Sequence, residues 1–283
     1  VIAPMVADTT IFQALPGFID ALPSSMRRDL EMRGASPAKA ILAQYSELIR
    51  DWSADPDMDG DALVQLAVSP AIASHCSDTL FKGLAALASD AGIGLHTHLA
   101  ESKVQAVAGI KRFGKTLTAY LGDLGVLGNN VTVAHGVWLD RDDIMCLSDH
   151  GTSLAHNPGS NMRLGNGIAD VRTMLDVGLN VGIGTDGARA SDHQNMYEAM
   201  RLADLLSRAR GPNPDDGLTA AQAFHAATLG SARSLGLDKV GRLEPGYKAD
   251  IVFLDLTSIN WIPMNNPMLQ IVHVEDGTGV DSV

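Results

Sequence analysis

Four residues that can bind a metal ion or transfer a proton each follow a predicted β-strand. In chain order they are His98, His135, His156 and Asp186. In a parallel α/β barrel the carboxyl ends of the strands open onto one mouth, where active sites lie. Imidazole and carboxylate groups are also common ligands of zinc and iron. The series therefore predicts a metal-dependent site built from consecutive strand ends.

The first cluster combines two histidines with a carboxylate. His96 and His98 are two residues apart, so they face the same side of a strand. Glu101 lies just beyond the strand end, where it can carry protons without binding the metal. For His96 an ordinary interior packing role remains an equal alternative.

The other clusters are less specific when taken singly. His135 is a lone histidine after an apolar strand, and its position in the series is what favours a functional role. His156 precedes an Asn-Pro-Gly-Ser stretch predicted to be a turn, which serves either the substrate or the scaffold. His75 follows a predicted strand and either contacts the substrate or faces water. Arg163 and Arg189 either meet a ligand carbonyl or carboxylate or are surface charges.

Glycines surround Asp186 in a pattern that superficially resembles a dinucleotide-binding loop. Gly182 and Gly184 form a Gly-x-Gly pair, but the next glycine, Gly187, has the wrong spacing for that fingerprint. An aspartate is also a poor neighbour for a pyrophosphate. The glycines instead allow Asp186 to approach a metal closely.

Composition excludes several classes of partner. The 283 residues are 46% hydrophobic and 19% charged, as in an ordinary folded protein, and the net charge is -12. An acidic balance argues against binding to nucleic acid or to an anionic membrane. No apolar run is long enough to span a bilayer. The only two cysteines, Cys76 and Cys146, form no disulfide framework and favour a reducing, cytoplasmic setting.

Short apolar runs alternate with helical patterns, which predicts a parallel sheet with helical crossovers. The predicted strands are 1–7, 64–69, 93–98, 131–135, 152–156 and 180–185. The predicted helices are 37–52, 78–91 (capped by Asp78), 104–121, 140–149, 171–177, 194–208 and 219–235. Six strands satisfy a doubly wound sheet, whereas a (β/α)8 barrel needs eight.

The alternation of apolar runs and helical patterns stops at Gly241, which predicts a domain boundary. Residues 1–240 are expected to form most of an α/β unit, and residues 241–283 the start of a small all-β element. A turn-rich segment leads into a predicted strand over 249–255, and no helix is expected in the tail.

The ordered motifs resemble the amidohydrolase superfamily. Residues 98–101, 134–136, 156–161 and 184–187 are similar to the signatures of its barrel strands 5, 6, 7 and 8. The branch most similar contains guanine, 8-oxoguanine and S-adenosylhomocysteine deaminases and triazine chlorohydrolases. The resemblance implies a (β/α)8 barrel of which strands 3–8 are present, followed by part of a small β-sandwich.

The resemblance also implies roles for individual residues. His98 and Asp186 would bind one divalent metal ion, with zinc expected and iron the alternative. Glu101 would shuttle protons, and His135 would hydrogen-bond the attacking water or the oxyanion. The implied reaction is hydrolytic deamination of a small heteroaromatic ring, such as a purine, pterin or pyrimidine. Loss of chloride or an alkylamine from a triazine-like ring is the alternative, and relatives often form homodimers.

One departure from the family pattern matters for activity. The His-x-His pair that supplies two more metal ligands on strand 1 has no counterpart in this sequence. The expected register makes residues 1–7 strand 3, with strands 1 and 2 and the last sandwich strands outside the chain. A non-catalytic fragment is therefore a third hypothesis, since a catalytic zinc typically has three protein ligands.

Overall fold

The computed structural model describes residues 1–15, 17–31, 34–55 and 63–283. The chain divides into two compact units. Unit 1 contains Val1–Ala134 and Asp149–Thr152, and unit 2 contains His135–Ser148 and Ser153–Val283. This division follows compactness and does not test the predicted domain boundary at residue 240, which stays a prediction.

Strands and helices alternate as the sequence predicts. The strands are β1 Met5–Val6, β2 Ala67–Pro70, β3 Gly94–Leu99, β4 Val131–His135, β5 Ser153–His156, β6 Val181–Ile183, β7 Phe253–Leu254 and β8 Val280–Ser282. The helices are α1 Ile11–Ala14, α2 Ser24–Glu31, α3 Ala38–Ala54, α4 Asp78–Ala91, α5 Lys103–Phe113, α6 Leu117–Asp123, α7 Arg141–Asp149, α8 Pro158–Arg163, α9 Val171–Asp176, α10 Ala188–Ser191, α11 Met196–Arg208, α12 Ala220–His225, α13 Ser231–Ser234 and α14 Pro267–His273.

Unit 1 is built on parallel strands. β1 pairs with β2, and β2 pairs with β3 so that Ala67 lies opposite Gly94. Helix α4 packs its apolar stripe against these strands and buries Leu80, Phe81 and Leu84 completely or almost completely. The burial of β3 alternates, which places Leu95 and its alternate neighbours in the core and leaves the two histidines of the strand on the other face.

Unit 2 contains a second parallel pair and a small antiparallel sheet. β5 pairs with β6 so that Leu154 lies opposite Val181, and β7 pairs antiparallel with β8. Leu154 and Met174 are fully buried in its core. These pairings provide the parallel strands and the small antiparallel sheet that the sequence predicts.

Glycines allow backbone-close packing around β6. A Cβ at Gly182 would lie 2.9 Å from the Cα of Ser231, and one at Gly184 would lie 2.3 Å from the Oδ1 of Asn157. Gly230 ends a π-helical turn, Ala226–Gly230, between α12 and α13. A Cβ there would lie 2.2 Å from the carbonyl oxygen of Val181. Contacts this short exclude a side chain at any of the three positions without movement of a neighbour.

Several local predictions are wrong for identifiable reasons. Ser77 rather than Asp78 caps α4, because its hydroxyl accepts a hydrogen bond from the Leu80 N–H at 3.2 Å. Asp78 instead occupies the first turn and accepts a hydrogen bond from the Tyr120 hydroxyl. The helix predicted over 104–121 is two helices, because Gly114 adopts the left-handed conformation and ends α5.

The C-terminal half departs from expectation in three places. The predicted turn after His156 is the start of α8, with Pro158 in its first turn, where a missing N–H costs nothing. The tail predicted to lack helix contains α14, which begins at Pro267 with Asn266 as its N-cap. Only Phe253–Leu254 of the strand predicted over 249–255 forms β7. Among the helices described, none combines the length and apolarity needed to cross a bilayer.

Replacing Gly230 with alanine should destabilise the fold. The new methyl group would press on the carbonyl of Val181, and overpacking of this kind costs about 1–3 kcal/mol. Thermal unfolding followed by circular dichroism would show a lower midpoint for Gly230→Ala. Gly211→Ala is the matched control, since open space surrounds that position. Equal midpoints for the two variants would contradict the close approach.

Candidate functional site

The predicted strand ends coincide with unusual backbone conformations. Ala100, which follows β3, has φ 47°, His135, which ends β4, has φ 79°, and Asp186, beyond β6, has φ 62°. Side chains other than glycine rarely adopt positive φ, and such strain persists only where surrounding structure enforces it. Among the described residues only Asp192 and Lys239 share this property. Strain thus marks the ends of three strands that carry the predicted functional groups.

His98 is oriented by the loop after β2. Its Nδ1 lies 2.8 Å from the carbonyl oxygen of Ala71, which also accepts the His98 backbone N–H at 3.0 Å. A carbonyl can only accept, so Nδ1 carries the proton and Nε2 presents its lone pair. Metal-binding histidines commonly donate their other N–H to a carbonyl in this way, which fixes the ring and its tautomer.

Glu101 is held by a reciprocal pair of hydrogen bonds with Gln105. The Gln105 amide donates to the Glu101 carboxylate at 3.0 Å, and the Glu101 backbone N–H donates to the Gln105 side-chain oxygen at 3.0 Å. Gln105 lies one helical turn after Glu101, a spacing visible in the sequence, although sequence reasoning assigned it no role. The carboxylate therefore has a defined orientation in unit 1.

His75 and His96 also lie in unit 1. His75 is half-buried in a single helical turn, and burial, followed by the charges of Arg112 and His98, lowers its pKa. Its contact with substrate stays a prediction. His96 shares the strand face of His98, and burial lowers its pKa. Both are expected to be largely neutral at neutral pH, and neither gains a functional contact among the described interactions.

In unit 2 one histidine links a carboxylate and an amide. The Nε2 of His135 lies 3.9 Å from the Oδ2 of Asp186, and its Nδ1 lies 3.0 Å from the Oδ1 of Asn161. His135 is 1% exposed, whereas the Asp186 side chain is 24% exposed. The other oxygen of Asp186 accepts the Gly187 N–H at 2.6 Å. One oxygen of the Asp186 carboxylate is thus held by a backbone N–H, and the side chain as a whole stays partly exposed to solvent.

His156 is buried beside this arrangement. It is 2% exposed, and its Nδ1 has no hydrogen-bond partner. Burial, followed by the nearby His135, lowers the pKa of His156 to about 4. The imidazole is neutral across the physiological range, so it contributes a hydrogen-bonding group rather than a charge. Its predicted contact with substrate stays a prediction.

A cavity of about 310 Å³ with a mixed polar and apolar lining lies in unit 2 against Thr185, the residue before Asp186. Its volume is at the lower end of the range for ligand sites, roughly 300–1,000 Å³. Its lining includes Gly159, Arg163, Thr185, Asp192, His193 and Glu198. Arg163 is bound to Asp192 at 2.6 Å, so it is not an isolated surface charge. Arg189 is exposed and does not line this cavity.

The donor types fit a divalent metal, but the set is small. His98 offers an oriented imidazole and Asp186 a partly exposed carboxylate, both suited to zinc or iron. Within the described ranges no group of three or more His, Cys, Asp or Glu side chains is arranged to hold a metal ion. Since catalytic zinc typically has three protein ligands, the described residues alone do not make up a complete catalytic zinc site.

Parallel strands with helical crossovers, and histidine and carboxylate side chains at strand ends, are the arrangement found in α/β-barrel enzymes. A model of the amidohydrolase family matches residues 6–283, and the chain belongs to that family.

Comparisons with individual proteins agree. The chain is 34% identical over 281 residues to a 5-methylthioadenosine/S-adenosylhomocysteine deaminase of Thermococcus onnurineus, covering 97% of the chain and 66% of the relative. The structure matches a zinc-bound adenosine deaminase from Xanthomonas campestris with TM-score 0.83 and 25% identity, over 99% of the chain and 58% of that protein. It also matches a zinc-bound atrazine chlorohydrolase from Arthrobacter aurescens with TM-score 0.83 and 29% identity, over 95% and 56%.

These matches confirm the predicted family and the barrel-type α/β fold. The chain spans 46% to 66% of the length of the curated relatives that it matches.

His156 should remain unprotonated down to about pH 4. Because its folded-state pKa is lowered, the unfolded chain binds the proton first, below about pH 6.5. Its contribution to stability is therefore present above that pH and lost as the pH falls towards 4, by up to about 3 kcal/mol. A pH titration by NMR of histidine-labelled protein, with His156→Asn identifying the signal, measures this directly. A midpoint near 6.5 for that signal would contradict the burial described.

Proposed function

We propose that this chain is the catalytic part of a hydrolytic deaminase acting on adenine-type nucleosides. The observation that carries the proposal is the order of Glu101, His135 and Asp186 along the chain of an amidohydrolase family member: just after β3, at the end of β4 and just after β6. The backbone is left-handed at His135, at Asp186 and at Ala100, the residue before Glu101. The similarity to deaminases of 5-methylthioadenosine, S-adenosylhomocysteine and adenosine supports this class of substrate.

His98 and Asp186 are the proposed ligands of one divalent ion, with zinc favoured by the zinc-bound structures that the chain resembles. When bound, such an ion lowers the pKa of water and so makes a nucleophile available at neutral pH. The Ala71 carbonyl holds His98 in the tautomer that ligation requires. Further ligands are needed to complete the centre.

The side chains then divide the proton transfers between them. As water adds to the ring carbon that bears the amino group, Asp186 accepts a proton from that water. Glu101 gives its proton to the adjacent ring nitrogen, then takes the proton of the newly added hydroxyl and delivers it to the departing amine. Both carboxyl groups return to their starting protonation states by exchange with solvent. The C–N bond breaks, ammonia leaves, and the ring carbon becomes a carbonyl. His135 hydrogen-bonds this oxygen while it still belongs to the attacking water.

The cavity beside Asp186 is proposed to take the part of the substrate beyond the ring. Its lining combines charged side chains such as Arg163 and Glu198 with the apolar side chains of Met162 and Leu202, which suits a group that has both polar and apolar parts, such as a substituted sugar. His75 and His156 remain proposed substrate contacts. Cys76 and Cys146 are not joined in a disulfide, which supports a reducing cytoplasmic setting as part of the same proposal.

The function can be tested with a panel of adenosine, 5-methylthioadenosine, S-adenosylhomocysteine, guanine and a chlorotriazine. The assay measures ammonia and chloride release by the protein with its native flanking sequence included. Glu101→Gln should lower kcat for deamination by about 10²–10⁴-fold, the range for general acid-base groups. Glu47→Gln, which changes an exposed carboxylate on α3, is the control. Chloride release without ammonia release would favour the triazine alternative, and turnover unaffected by Glu101→Gln would refute the role of this residue.

Metal binding can be tested separately. His98→Ala should reduce the zinc content measured by mass spectrometry, because it removes a proposed metal ligand whose ring is already oriented by the Ala71 carbonyl. His96→Ala is the matched control on the same strand and face. Equal zinc loss in the two variants, or none in His98→Ala, would exclude His98 as a specific ligand.

A further inference from the structure

We infer that Asn161 is a positioning residue that fixes the tautomer of His135. The inference rests on the proposed function, since it concerns how His135 meets the attacking water. The Asn161 Oδ1 lies 3.0 Å from the His135 Nδ1. An amide oxygen only accepts hydrogen bonds, so the neutral ring carries its proton on Nδ1. The lone pair then lies on Nε2, the nitrogen that is 3.9 Å from the Asp186 carboxylate.

Burial makes this hydrogen bond decisive for the ring. His135 and Asn161 are each 1% exposed, so bulk water does not compete for either group. A hydrogen bond in such surroundings is stronger than one in water, and leaving its partner unpaired is correspondingly costly. The tautomer is therefore set by the amide rather than by solvent.

The backbone of Asn161 is held on both sides. Its N–H donates to the Asn157 carbonyl at 3.0 Å, and its carbonyl accepts the Asn166 N–H at 2.8 Å. Asn157 is itself confined by Gly184, where a Cβ would come within 2.3 Å of its Oδ1. The α8 segment thus holds the Asn161 backbone in place, and the side-chain amide meets His135 through its oxygen, while its buried nitrogen has no hydrogen-bond partner among the described residues.

The neutral amide has a chemical consequence for the proposed reaction. With Nδ1 donating to Asn161, the Nε2 of His135 can accept a hydrogen bond from the attacking water and orient it. Reversal of the amide would place its –NH2 against Nδ1 and move the ring proton to Nε2, which would then be unable to accept. Asn161 therefore makes the Nε2 of His135, the nitrogen proposed to face the attacking water, a hydrogen-bond acceptor.

The tautomer can be measured without catalysis. A long-range ¹H–¹⁵N correlation spectrum of histidine-labelled protein at neutral pH distinguishes the two neutral tautomers, and His135→Gln identifies the signal. We expect the Nδ1–H pattern in the native protein and in Asn161→Asp, which keeps an oxygen acceptor. Asn161→Leu should lose that pattern, whereas Ser160→Ala, which removes a buried hydroxyl with no partner from the same helix, should keep it. An Nε2–H pattern in the native protein would overturn the inference even if Asn161→Leu fails to fold.

Kinetics provides the second readout. In the protein that turns over substrate, Asn161→Leu should lower kcat about tenfold to a hundredfold, the usual effect of losing an orienting partner, with KM little changed. Asn161→Asp should restore most of that loss. An Nδ1–H pattern without deaminase activity would leave the positioning role intact and reject the proposed function. Deaminase activity together with an Nε2–H pattern would support the proposed function and reject the positioning role of Asn161.

Discussion

A strand buried on both faces leaves its carboxyl end as the place where polar chemistry can occur, and the chain must turn sharply there to present a side chain. In this protein the turn is made with left-handed backbone at Ala100, His135 and Asp186, none of which is glycine. Each such residue costs of order 1–3 kcal/mol, so the helices and strands around it must be stable enough to maintain it. The packing of α4 against β3, and the burial of Leu154 in β5 and of Met174 in α9, contribute to that stability.

Two of the proposed proton-handling groups are oriented by neutral amides. Gln105 clamps Glu101 through two hydrogen bonds, and Asn161 faces the Nδ1 of His135. An amide orients its hydrogen-bond partner without adding a formal charge. It therefore fixes the side chain of Glu101 or His135 without the strong preference for one protonation state that a charged partner would impose. The His98 ring is oriented by a backbone carbonyl for the same end. A common physical device therefore recurs in both units, built each time from a different element.

Much of the fold could be predicted because its signals are periodic. The apolar runs of β4 and the helical pattern of α4 appear at the expected positions, and the histidines of β3 share one face. The errors arise where a single residue decides the outcome. Gly114 splits one predicted helix, Ser77 competes successfully with Asp78 for the cap, and Pro267 starts a helix in a tail that lacks strong periodicity. Strand-end side chains could be identified from spacing, but the partners Gln105 and Asn161 could not be assigned, because a hydrogen bond depends on three-dimensional direction.

The glycines of β6 give this strand an unusual relation to its surroundings. At Gly182 and Gly184 no side chain separates the strand from its neighbours, so Ser231 and Asn157 lie directly against the main chain. Side-chain packing can absorb small shifts by changing rotamers, whereas contact with bare backbone has no such freedom. The position of β6 relative to these neighbours is therefore narrowly fixed. Asp186 lies two residues beyond Gly184, so its position is narrowly fixed as well. The two glycines, by letting neighbouring groups pack directly on the backbone, thus help to fix where the Asp186 carboxylate lies.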